Sequence, residues 1–145
     1  MKKFLTIILV LVSIQCFAQE NDSIRYKFDS PIDQYPQFPG GMEEMIDFFN
    51  LKIHYPSQAA YVGVNGKAFV SFSISETGVL GDFKIHKSSN LKPDSYNNDI
   101  NLGYESLDNE ALRVIKLMPN WTPAMYNGTA VKTILVILPF YFYFD

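Results

Sequence analysis

The chain has 145 residues, with 12 basic against 15 acidic side chains and a net charge of −3. That length suits one core, and that charge argues against nucleic acid, whose phosphates call for a basic face. An aromatic content of 15%, almost all of it Phe and Tyr, lets a small core bury much area per residue.

Lys2 and Lys3 precede an apolar run over 4–12 broken only by Thr6, and small Ala18 follows before Gln19. This is the layout of a secretory signal peptide over 1–18, cleaved after Ala18. Gln15 and the polar stretch 19–22 cut the run short of the roughly 20 apolar residues that a spanning helix needs. Gln15 also stands where a lipidated cysteine needs a small neighbour, which disfavours an anchor through Cys16. Removing 18 of the 145 residues leaves 127, with no cysteine, and without Lys2 and Lys3 the 12 basic residues become 10 against 15 acidic. Residues 19–37 are polar, lack an apolar period and read as a short tether to a single domain over 38–145.

Within that domain Met42, Met45, Ile46 and Phe49 follow helical spacing, and Glu43 and Glu44 suit a helix N-terminus, so a helix is predicted over 41–50. Tyr55-Pro56 opens a one-turn helix through Ala60, with proline at the favoured first position. Over 67–75, Ala68, Val70, Phe72 and Ile74 alternate with Lys67, Ser71, Ser73 and Ser75, which marks a half-buried strand with only Phe69 out of pattern. Glu76-Thr77-Gly78 turns the chain into a return strand over 79–87, with Phe83 and Ile85 inward and Asp82, Lys84 and His86 outward. Residues 90–105 read as a long polar loop rich in Asn and Asp.

A second helix fits 107–118, with Leu107, Ala111, Leu112, Val114, Ile115 and Met118 on one stripe, Ser106 or Asp108 as cap and Pro119 as terminator. Trp121 and Pro123 then anchor a crossing segment, Asn127-Gly128 turns the chain, and an almost wholly apolar run over 131–144 closes the fold as a strand. Pro139 argues for an edge position, since proline cannot donate into a ladder on its side. The expected fold class is α+β, a small antiparallel three-stranded sheet with two helices packed on one face in the order α-β-β-α-β. The last strand pairs with the first, giving sheet order two-one-three.

No catalytic set is visible. His54 and His86 lie in no metal spacing, no G-x-S-x-G elbow occurs, and no Gly-rich phosphate loop follows a strand. Asp94, Asn97, Asn98, Asp99 and Asn101 offer oxygens for calcium but lack the glycine and glutamate that an EF-hand loop needs, so a solvated loop is expected. Trp121 is read as core rather than as a ligand-stacking ring. No cofactor and no metal is implied.

Phe38-Pro39-Gly40-Gly41, Tyr55-Pro56, Gly63 with Gly66, the strand Val70-x-Phe72-x-Ile74 and Ser88-Ser89 form an ordered series. Leu107-Asp108-x-Glu110-Ala111-Leu112, Trp121-x-Pro123-Ala124, Asn127-Gly128 and Pro139-x-x-Phe142 complete it. The series resembles the TonB C-terminal domain family, in the form common to Bacteroidetes-type members. The resemblance implies a periplasmic protein-binding domain, not an enzyme, in energy-dependent transport across the envelope. In that family the last strand receives an extended peptide of an outer-membrane TonB-dependent receptor, which here places partner binding by strand addition on the free edge at Ile134, Leu135, Val136, Ile137 and Leu138. The same edge would also serve a homodimer. Two departures stand out: a signal peptide and short tether where TonB keeps an uncleaved anchor and a long Pro-rich spacer, and the expanded 90–105 loop. They keep open a stand-alone periplasmic adaptor or homodimeric module without energy transduction, associated with membranes only through partners.

Overall fold

The computed structural model describes residues 23–143. The expected signal peptide, Cys16 and the start of the tether lie outside the described residues. The elements run β1 (Arg25–Phe28), α1 (Gly41–Lys52), α2 (Ser57–Val62), β2 (Gly66–Ile74), β3 (Leu80–Lys87), α3 (Asn98–Ile115), β4 (Ala124–Tyr126), β5 (Thr129–Val131) and β6 (Thr133–Phe142).

Period-two patterning sets the sheet. Ala68, Val70 and Phe72 of β2 stand opposite Phe140, Leu138 and Val136 of β6, so both strands turn one apolar row to the same side. That row packs against Met45 and Phe49 of α1, Ala59 of α2, and Leu107, Ala111, Val114 and Ile115 of α3 to form the core. β2 and β3 join antiparallel around Glu76-Thr77-Gly78, with Asp82, Lys84 and His86 outward as the alternation predicts.

The sheet order is β1-β6-β2-β3, all antiparallel. The expected two-one-three order is present as β3-β2-β6, but the sheet has four strands rather than three. The added strand comes from the segment read as a tether. Arg25-Tyr26-Lys27-Phe28 alternates charge with aromatic ring, and at four residues in a polar setting the pattern is too short to read as a strand from sequence. β6 is therefore interior along Thr133–Ile137, not an edge. Pro139 lies past the last β1 pair, at Ile137, so its missing N–H falls on a stretch that β1 does not reach.

The helix boundaries also differ: α1 runs on to Lys52, α2 runs on to Val62, and α3 ends at Ile115 instead of 118. Pro56 caps α2 in extended conformation instead of entering it. α3 begins at Asn98, well inside the expected loop, because the Asn97 side chain accepts from the Asp99 and Ile100 backbone N–H groups. Asp108, read as a possible cap, sits inside α3 and accepts hydrogen bonds from Ser88 Oγ and from the Ser89 N–H at 2.7 Å. It ties the end of β3 to the helix.

Candidate protein-binding edge

Along β6 the side chains divide by parity. Val136 and Leu138 are buried in the core, Ile137 is buried on the opposite face beside Ser71, and Ile134 and Leu135 are half-buried. What these five residues share is their backbone. One edge of it pairs with β2 and the other, up to Ile137, with β1: Arg25 stands opposite Ile137, Tyr26 opposite Val136, Lys27 opposite Leu135 and Phe28 opposite Thr133. The structure thus brings the expected site residues together on one strand, and corrects the free edge to an edge held by the chain's own N-terminal segment.

β1 is held by side chains on both faces of the sheet, with Tyr26 packed half-buried against the core. Tyr26 and Phe28 stack at 6.1 Å, and Tyr35 meets Tyr26 at 5.4 Å and Phe28 at 5.8 Å. On the other face the Arg25 guanidinium lies 5.6 Å from the centre of the Phe69 ring, over which the Lys67 and Lys87 ammonium groups also stand. This explains Phe69, the one residue out of pattern in β2: it is an apolar platform that cation stems cover. Burial, and then the nearby Tyr35 phenol, push the Tyr26 hydroxyl above its ordinary pKa. Sequence reading missed Arg25, Tyr26, Phe28 and Tyr35 as parts of this seam.

The seam is imperfect. Its register slips between Lys27 and Phe28, and the fully buried Thr133 opposite Phe28 has no hydrogen-bond partner for its hydroxyl among the described residues. Beneath Ile24 and Tyr26 lies a cleft of about 260 Å3 walled by Phe38, Met42, Met45 and Trp121. Trp121 is core, as expected, with its ring edge-on to Phe38 at 5.9 Å and to Phe72 at 5.5 Å. Its buried indole Nε1 also has no partner among the described residues.

Several of the other candidate residues make hydrogen bonds within the domain. Asp94 accepts from the Tyr96 and Asn97 N–H groups, while Asn101 accepts from the Asp94 N–H and from Asn90 and donates to the Asp94 carbonyl, so Asp94, Asn97 and Asn101 spend their side-chain groups on loop backbone and helix cap. His54 contributes its backbone N–H to Glu110, which also grips Arg113 through two hydrogen bonds.

Residues 52–144 match the family model described as Gram-negative bacterial TonB protein C-terminal. No curated protein and no solved structure matches the chain.

Proposed function

The chain belongs to the TonB C-terminal family, and from that premise we propose that it binds an extended periplasmic segment of an outer-membrane TonB-dependent transporter by strand addition along Ile134, Leu135, Val136, Ile137 and Leu138. The family is one of non-enzymatic interaction domains of the cell envelope. Among the described residues no helix is long and apolar enough to cross a membrane. One observation carries the proposal: the outer backbone edge of β6 already pairs with a single extended segment, β1, which is the bonding mode that a partner strand would use. Each such backbone hydrogen bond contributes a net ~0.5–1.5 kcal/mol, so affinity comes from the ladder and selectivity from alternate side chains.

The mature protein, in this reading, starts at Gln19 in the periplasm, and a Met1 terminus recovered from inner-membrane fractions would contradict that. A second reading, a stand-alone adaptor or homodimeric module without energy transduction, is favoured by β1 itself, because part of the expected tether is folded into the sheet. Photo-crosslinkers at half-buried Leu135 and, as control, at exposed Asp99 separate the readings in cells. The proposal expects a transporter crosslinked from Leu135. Crosslinks to a second copy alone favour the homodimer, and a transporter captured from Asp99 alone defeats strand addition.

A further inference from the structure

We infer that β1 is an exchangeable stand-in for the partner strand, a segment in cis that holds the β6 edge until an extended segment with the same alternation of large apolar side chains replaces it. The inference rests on the reading of β6 as the partner edge, and it assigns both the regulation of that edge and the chemistry of what displaces β1.

Three features of the seam carry it. The first is that β1 contributes no fully buried side chain to the core. Tyr26 packs against it only half-buried, and β2 pairs with β6 from Gly66 opposite Phe142 to Ile74 opposite Thr133 without help from β1. Leaving the edge would therefore uncover β6 and the core flank under Tyr26 while the β2–β6 ladder stays paired. The second is that two of the three buried side-chain polar atoms lacking a partner among the described residues, Trp121 Nε1 and Thr133 Oγ1, belong to residues that border this seam. Buried polar groups in folded proteins are nearly always satisfied, by protein or by ordered water, so these two are groups that a water or an incoming strand can serve. The third is the cleft of about 260 Å3 beneath Ile24 and Tyr26. Its lining forgoes dispersion contacts that a better-fitting strand would restore.

β1 nonetheless competes well, because it is tethered. Only residues 29–33 separate it from the bridge between Gln34 and Met125 that fixes the chain to the body. A short connection of this kind gives an effective concentration on the order of millimolar, so a free strand of equal fit is excluded at lower concentrations. The incoming segment must fit better. The positions of Tyr26 and Phe28 call for large apolar side chains directed at Tyr35 and the cleft, with polar residues between them.

The test uses protein purified from the envelope and carrying Cys16→Ser, with a fluorescein-labelled peptide of residues 23–30, SIRYKFDS, as probe. Lys27→Cys with Leu135→Cys, directly opposite across the seam, locks β1 when oxidised and frees it when reduced. Peptide binding should be at least tenfold weaker to the oxidised form than to the reduced one. Tyr26→Ser with Phe28→Ser in the protein should leave a folded domain by circular dichroism and tighten peptide binding at least tenfold over the native chain. A peptide with serine at those two positions should not bind. Equal binding to the locked and unlocked forms, no gain on the weakened variant, no binding to any form, or unfolding of the weakened variant would each overturn the inference. Peptide exchange without a transporter crosslink would remove the proposed partner and leave the stand-in intact; a transporter crosslink without peptide exchange would do the reverse.

Discussion

Gly78 and Trp121 meet through their backbones: the Trp121 N–H donates to the Gly78 carbonyl at 2.9 Å, and a Cβ on Gly78 would overlap the Trp121 carbonyl oxygen. The tip of the β2–β3 hairpin is thereby docked on the crossing segment that carries the tryptophan. Gly78 holds φ at 83°, a left-handed value that other residues adopt at a cost. Strain and overlap both act on Gly78→Ala, which should destabilise the domain by about 2–4 kcal/mol in urea titrations. A change under 0.5 kcal/mol would mean that the hairpin tip and the crossing segment are not in contact.

Core truncation should be costly on either side of this contact. Phe72 is buried on the sheet row and packs edge-on against Trp121, so Phe72→Ala or Trp121→Ala should each lose about 3–5 kcal/mol through cavity formation. Because the two rings touch, the double variant should lose less than the sum. Additive losses would show that the rings do not share a cavity.

Asn97→Ala removes the α3 cap and should cost about 0.5–2 kcal/mol, whereas Asp99→Ala, exposed in the first turn, should stay within about 1 kcal/mol. Denaturation midpoints of the two variants compared side by side check the order. Equal losses would return 90–105 to a loop without a helix start.

Motif pairs were legible in sequence, but the bonds between them were not. Ser88-Ser89 and Asp108 stand in the resemblance as separate motifs, and only the packed structure shows one carboxylate holding both serines. The Asn127-Gly128 turn followed from its own chemistry but joins β4 to β5 in a separate two-stranded sheet instead of opening the last strand. The alternation in β2 and β3 followed from periodicity over many residues and the β3-β2-β6 order from the connections. β1 did not, because four alternating residues carry no weight until a long partner strand supplies the pairing. The start of α3 was hidden for a related reason: Asn and Asp favour loops and helix caps alike, and Asn97 takes the cap. For the site, the strand was identifiable and its occupant was not.

Alkaline pH should loosen the fold through Tyr55. Its hydroxyl donates to the Val64 carbonyl, and burial, followed by the neighbouring Tyr104, pushes its pKa from 10.0 up to about 12. A raised pKa means that the folded state holds the proton more tightly. The contribution is complete below pH 10 and is lost as pH rises toward 12. Tyr55→Phe should lower stability at neutral pH, by loss of the hydrogen bond, and flatten the decline between pH 10 and 12. An unchanged alkaline slope would assign the decline to other groups, Tyr26 among them, whose pKa burial also raises.

Amide hydrogen exchange on the whole chain, with and without the periplasmic segment of a transporter captured from Leu135, reads the replacement of β1 on the β6 edge itself. Exchange should slow at the amides of Ile134 to Leu138 that face away from β2 and quicken across Arg25–Phe28 as β1 leaves the edge. Protection confined to 90–105 or to α3, with the amides of β1 and β6 unchanged, would contradict that replacement.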